Sequence, residues 1–474
     1  VVAAGQNPPL QPFSFSGTMP TLPDPMKCMM TEKIDKNSDL SSYPDAAQRK
    51  RTMRLSIAEG MIALVMIGLT QNFYVPYLNA MKATPLAIGI GFGGFLLAQG
   101  VVQIWAPAIV RLFGNYKKFV VVGNTLQALL LIPFAMMAHW FPSHPVWLSI
   151  GVMFLSAAAG GGTASAWADW ISYIVPRKMR GRYFSFRTAL ITLSQFIASI
   201  LAALMLDRAG DVIFIFTLLW LVSAVARGLS AMLLHWHYDP PEIYLRPPIQ
   251  VKFTDFVGQL HTHSYGKFIL AYSLIYFGAY FSAPFFALHM INDLHFSYLQ
   301  YGCIQMIVPL VTVFGLGLWG RICDRLGNIM PMRLAATIIL LLPLGWLISG
   351  NFWYLLALNT AAGLAWSGFQ LLTFNYSIGE LPSGQRLAYI SYMNAIAAIF
   401  YFAGSALGGW VGPMLPTITH FQIHSIFVFS TILRLPAVLL FQALPSDEPS
   451  GTRMSAMEKF FFTPRRFIQG RFSR

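Results

Sequence analysis

The chain has 474 residues, of which 56% are apolar, 15% aromatic and only 11% charged, and a typical soluble domain is about a quarter charged. So few charges cannot cover a water-soluble surface of this size, which excludes a soluble enzyme or binding domain. The formal charge of +14 would suit nucleic acid, but the Lys and Arg residues sit in short loops between apolar stretches and read as topology signals; no nucleic-acid partner is expected.

Residues 1–51 are rich in Pro, Ser, Asp and Lys without sustained periodicity, and are expected to form a disordered cytoplasmic tail. The first apolar run begins near residue 55 with no basic-then-apolar leader ahead of it. Because the sequence opens on Val1, Met26 and Met30 are alternative starting points. Apolar spans long enough to cross a hydrocarbon core of about 30 Å then follow near 54–79, 86–111, 118–138, 146–175, 184–206, 212–235, 266–290, 297–320, 331–349, 352–378, 387–411 and 422–443. A polar connection at 237–265, with Asp239-Pro240-Pro241 and Pro247-Pro248, is expected to be a cytoplasmic linker between bundles at 52–236 and 266–444. A basic tail, 445–474, alternates aromatics with Arg and Lys and is expected to lie along the cytoplasmic membrane face. The fold class is therefore an all-α integral membrane protein of twelve transmembrane helices in two pseudo-symmetric six-helix bundles.

With the N-terminus inside, 28 of the 32 Lys and Arg residues fall on the cytoplasmic side, Lys82 and Arg208 on the other, and Arg227 and Arg434 within spans. This positive-inside imbalance predicts a multi-pass inner-membrane protein with both termini cytoplasmic. The halves also resemble each other. Pro176-Arg177-Lys178-Met179-Arg180 with Tyr183, Ser185 and Ala189 aligns with Pro382-Ser383-Gly384-Gln385-Arg386 with Tyr389, Ser391 and Ala395. Leu112 to Asn115 aligns with Arg325 to Asn328, Arg227 with Arg434, and Pro76 behind Phe73 and Tyr74 with Pro284 behind Tyr280 and Phe281. Four matches in one order point to a parallel duplication, with a binding site at the midplane between the repeats.

Over residues 50–445 the sequence resembles the major facilitator superfamily (MFS). The motif carrying the resemblance is Gly320-Arg321-Ile322-Cys323-Asp324-Arg325-Leu326-Gly327, similar to the family's cytoplasmic loop signature Gly-x-x-x-Asp-Arg-x-Gly. The resemblance implies the MFS fold, close helix approach at Gly320 and Gly327, and a cytoplasmic gate latched by Asp324 and Arg325. Two departures stand out. Asn328 and Ile329 replace the basic pair after Gly327, and in the first half Arg111 and Leu112 occupy the Asp and Arg places. Drug–proton antiporters of the family carry an Arg in the fourth helix and a Gly/Pro-rich fifth helix. Here span four has no Arg and span five neither Gly nor Pro, which favours uptake or facilitated exchange over drug antiport.

Ionisable groups inside spans are costly and are functional candidates. Glu59 and Asp169 are shallow, so proton coupling and a structural ion-pair network are both open. Arg180 and Arg182, in the basic loop 176–187, read either as anchors to lipid headgroups or as partners for Asp169. Arg227 and Arg434 read as structural pairs or snorkelling side chains. The cavity candidates are neutral: Gln71, Asn72, Tyr74, Trp167 and Gln195 in the first half, with Thr163 and Ser165 nearby. The second half contributes Tyr276, Tyr280, Gln305, Trp366, Gln370, Asn375, Tyr392 and Asn394. Such a lining suits a neutral polar or amphipathic solute held by amide hydrogen bonds and ring stacking; the other reading of these side chains is helix–helix glue. Gly404, Gly408 and Gly409 read as a packing seam, and His289 and His424 as lone structural histidines.

No metal or cofactor is expected, since Cys28, Cys303 and Cys323 have no ligand spacing and Gly160-Gly161-Gly162 lacks the Lys and Ser/Thr of a phosphate loop. The functional expectation is a secondary transporter or facilitator, a symporter among the candidates, and not an enzyme. It moves a small solute by alternating access, with a coupling proton or cation left open. It is read as a monomer unless it belongs to a larger complex, and the alternative is a non-transporting membrane scaffold or assembly subunit of such a complex.

Overall fold

The computed structural model describes residues 46–239, 253–259, 264–380 and 386–444. The two expected tails, most of the linker and the Pro382–Gln385 stretch of the duplicated loop lie outside the described residues. Apart from Ala46, those described belong to a single unit, Ala47–Arg474.

Each apolar run becomes a helix, because a backbone in hydrocarbon must satisfy its own hydrogen bonds. In chain order these are α1 (Ala46–Ala80), α2 (Pro85–Phe113), α3 (Tyr116–Trp140), α4 (Pro145–Ile174), α5 (Arg180–Asp207) and α6 (Val212–His235). The second set is α7 (Ser264–Leu288), α8 (Tyr298–Leu326), α9 (Ile329–Gly345), α10 (Phe352–Glu380), α11 (Arg386–Val411) and α12 (Ile423–Ala443). Among the described residues there is no strand. Eleven of the described helices are long and apolar enough to cross a membrane, and α9 is shorter. The ends are fixed locally. Thr84 accepts from the Ala87 N–H ahead of Pro85, and Ser297 forms a reciprocal capping box with Gln300.

The pairing of helices repeats between the halves. Helix α3 packs on α4 and α6 as α9 packs on α10 and α12, and α2 packs on α4 as α8 packs on α10. The halves then join through α2 with α11 and, equivalently, α8 with α5. Among the described residues, the hydrogen bonds and ring contacts between halves lie toward the ends away from the chain termini. Examples are Asn79 with Asn292, Asp207 with the Tyr298 and Leu299 N–H groups, and Phe92 with Tyr280. We call this the far side and the opposite one the tail side.

The glycines of α11 are a packing seam as expected. A Cβ at Gly404 would lie 2.2 Å from the Phe277 carbonyl oxygen, and one at Gly408 2.1 Å from that of Phe281. Gly320 departs from expectation, since a Cβ there meets nothing within 4 Å. Nor is the linker purely irregular: Phe253–Gln259 is helical, and Phe256 is fully buried against Tyr389 and Tyr392 of α11.

Candidate functional site

Between the halves, α1 is broken by a 3-10 turn at Gln71–Phe73. The cause lies in Pro76: its ring has no N–H and crowds the carbonyl four residues back, that of Asn72. That carbonyl is taken by the other half, accepting from the Tyr301 hydroxyl of α8 at 2.5 Å. The Asn72 amide donates to Ser199 Oγ of α5 at 2.9 Å and contacts Met306 Sδ at 3.6 Å. Gln305, one turn below Tyr301, donates to the Tyr301 hydroxyl at 3.1 Å. Asn72 and Gln305 therefore belong to one polar cluster joining α1, α5 and α8. Gln71 and Gln195 are half-buried on two of the same helices.

A second cluster is aromatic. Tyr276 packs against Tyr272, Tyr280, Trp366 and Tyr401, with ring centroids 4.9–6.2 Å apart. Tyr280 also stacks on Tyr401 at 4.4 Å and, across the interface, on Phe92 at 5.9 Å. Trp366 stays half-buried at the edge, and Gln370, one turn along the same face of α10, is exposed. Stacked rings beside amides can hold a flat polar solute without charge. An apolar groove of about 600 Å3 on the bundle exterior, between α2, α4 and α11 and including Ile90, Trp147 and Phe402, offers rings but no side-chain amide.

Other cavity candidates sit elsewhere. Tyr74 is fully buried inside the first half against Phe95 and Phe134. Trp167 lies under the Arg187 guanidinium at 4.2 Å. Asn375 contacts Cys323 Sγ at 3.8 Å, and Tyr392 packs on the linker-helix rings of Phe253 and Phe256. The backbone carbonyl of Asn394 faces Gly100 in the α2–α11 contact.

The buried charges lie within the halves. Glu59 faces Arg187 at 3.4 Å and accepts from Ser230 Oγ at 2.9 Å. Gly60 leaves the room the guanidinium needs, since a Cβ there would lie 2.4 Å from it. Arg227 donates to Gln127 and Asn124, both at 2.6 Å, and Thr163 donates to Asn124 at 3.0 Å. In the second half Arg434 is 3% exposed and donates to the Ile339 carbonyl and to Ser282. Both arginines are thus structural partners inside their bundles, and burial argues against snorkelling for Arg434. Asp169 accepts from the Tyr116 hydroxyl at 2.9 Å, while Arg180 donates to the Ser172 and Val175 carbonyls. Arg182 is exposed.

At the tail end of α8, Asp324 and Arg325 are exposed, and Gly327 closes the helix with φ 75°. Among the described residues no hydrogen bond or ion pair joins Asp324 or Arg325 to the first half. Beyond α6, burial pushes His237 down to about 4 while its Nδ1 hydrogen-bonds the Leu233 carbonyl at 2.9 Å.

Sequence reasoning missed three participants. By sequence Arg187 closes the basic loop 176–187, but it lies one helical turn beyond Tyr183 and is buried. Tyr301 and Tyr401 carry no local signal. His289 and His424, read as lone, lie 3.3 Å apart.

Comparison with known proteins bears on this architecture. The model of the Major Facilitator Superfamily matches residues 56–263 and again 268–471. An uncharacterized MFS-type transporter of Methanocaldococcus jannaschii is 22% identical over 369 residues, covering 76% of this chain and 91% of that protein. Among solved structures, the nucleoside transporter NupG superposes with a TM-score of 0.64 at 13% identity, over 83% of this chain and 98% of that one. The D-xylose-proton symporter superposes with a TM-score of 0.60 at 15% identity, over 86% and 99%. With the family matched once per bundle over most of its length, the chain belongs to the Major Facilitator Superfamily, a family of membrane transporters and not of enzymes.

Proposed function

We propose that this transporter moves a small neutral or amphipathic solute by alternating access between its two halves, in an inner membrane with both tails cytoplasmic. The observation that carries the reading is the chemistry between the halves. Asn72, Gln305, Tyr276, Tyr280 and Trp366 offer amides and ring faces with no countercharge for an ionic solute. Nucleosides and D-xylose, the solutes named for two structurally similar transporters, share this chemistry and are the first probes. Contacts on the far side, with Asp324 and Arg325 exposed at the tail side, support a state open toward the tails. In this reading those two residues engage when that end closes. Glu59, held between Arg187 and Ser230, is the coupling candidate if a proton is co-transported.

The test is counterflow in proteoliposomes with labelled nucleosides and pentoses, with and without a pH gradient. Saturable exchange lost on Asn72→Ala and Trp366→Ala supports the proposal. Exchange of charged solutes alone would overturn the neutral-solute assignment.

A further inference from the structure

At the far end of α7, His289–Asp293 form a single π-helical turn, a geometry that concentrates at functional sites. His289 is 1% exposed. Its Nδ1 lies 2.8 Å from Asp293 Oδ2, and its Nε2 lies 3.3 Å from Nε2 of His424 in the first turn of α12. The His424 Nδ1 is 2.6 Å from the Thr419 hydroxyl. The same turn carries Asn292, which exchanges two hydrogen bonds with Asn79 of the first half, at 2.8 and 3.1 Å. One turn therefore grips the other half on one side and a histidine chain on the other.

The tautomers follow from the partners. An ionised Asp293 only accepts, so His289 Nδ1 carries a hydrogen and its Nε2 is an acceptor. His424 then donates from Nε2, and Thr419 donates to His424 Nδ1. One proton can join this chain without loss of any hydrogen bond. It binds His424 Nδ1, the His424 Nε2 proton moves to His289 Nε2, and the Thr419 hydroxyl rotates to accept. The product is a His289 imidazolium paired with Asp293, beside a neutral His424. A second proton would set two N–H groups against each other. The titratable groups facing His424 are His289, Asp293 and His420. Trp346 after α9, Phe421 before α12 and Phe427 within α12 otherwise surround the pair with rings.

We propose that His289, His424 and Asp293 form a one-proton binding site at the far mouth. The bound proton holds the π-helical turn in the shape that presents Asn292 to Asn79, so protonation favours closure of that mouth. By linkage, closing the mouth then raises affinity for the proton by the same factor. This rests on the alternating-access reading, with the proton taken up from the far side.

The test uses full-length protein in lipid nanodiscs, with native cysteines replaced and spin labels on Arg208→Cys and Ile348→Cys in far-side segments of the two halves. Raising the pH from about 5 to about 8 should increase the widely separated population several-fold. His289→Gln, which keeps hydrogen bonding but cannot take the charge, should abolish that dependence, with Asp293→Asn as a second, independent variant. Asn292→Ala should widen the mouth at both pH values. If Asn292→Ala widens it but pH does not, or if His289→Gln keeps the full pH response, the proton site is wrong and alternating access stands. If neither pH nor Asn292→Ala changes the separation, both readings fall. A response to added Zn2+ and EDTA in place of pH would make the pair a metal site and overturn the proposal.

Discussion

The Tyr301 hydroxyl donates to the Asn72 carbonyl at 2.5 Å, and that carbonyl is available because Pro76 stands one turn further along α1. A helix defect in one half thus becomes a bond to the other. Tyr301→Phe removes the donor and keeps the ring. A hydrogen bond of this kind contributes about 1 kcal/mol net, so the far-open population should rise roughly fivefold, read from the Arg208→Cys and Ile348→Cys label separation. An unchanged population would mean that the bond survives opening or does not contribute.

Glu59 and Arg187 are a buried pair, 3.4 Å apart and backed by Ser230 and the Trp167 ring. Removing one partner strands the other, typically at about 3–5 kcal/mol. Arg187→Met should therefore unfold well below the wild type in detergent melts. The double variant Glu59→Leu/Arg187→Met should recover most of the loss, because an apolar pair of similar volume costs little there. Equal melting points for the single and double variants would refute the coupling.

His237 supplies a pH dependence outside the membrane. Burial lowers it from 6.5 to about 4, so the folded state favours the neutral ring. The stability this lends is full above about pH 6.5 and is lost as pH falls toward 4, up to roughly 3 kcal/mol at 1.36 kcal/mol per pKa unit. His237→Gln should flatten the fall in melting temperature over that window and change little at pH 8. A parallel fall in both proteins would assign the acid sensitivity to other groups.

Gly408 and Gly320 should respond oppositely to alanine. At Gly408 the new methyl meets the Phe281 carbonyl oxygen at 2.1 Å, and backbone cannot rotate away, so α7 and α11 must separate and yield of folded protein should collapse. At Gly320 the space is open, and alanine should raise stability by roughly 0.5–1 kcal/mol through helix propensity. Expression and melting of the two variants decide the matter; loss of fold in Gly320→Ala would restore the close-approach role.

The helices were legible because hydropathy over twenty residues is a strong signal and loop Lys and Arg fix its direction. The duplication was legible at Pro76 and Pro284 because a proline behind an aromatic pair stands out in an apolar run, although α1 breaks into a 3-10 turn ahead of Pro76 and α7 runs unbroken through Pro284. Asn72 and Gln305 were found as amides in apolar runs, where every polar group needs a reason. Arg187 was not, because the arginines just before it make it look like one more loop charge. His289 and His424 are 135 residues apart, and nothing in either flank marks the other. Sequence shows which residues are costly to bury, whereas the partner that relieves the cost comes from whichever helix packs alongside.

Helix α8 carries Cys303 beside the Tyr301 cluster and Cys323 in the Asp324 motif, both half-buried. Twenty residues of helix place the two sulfurs about 30 Å apart, one toward each end of α8. The third cysteine of the chain, Cys28, lies outside the described residues. On the proposed alternating access the two ends of α8 open in turn, so the ratio of Cys303 to Cys323 alkylation rates should change with added solute in protein that carries its native cysteines.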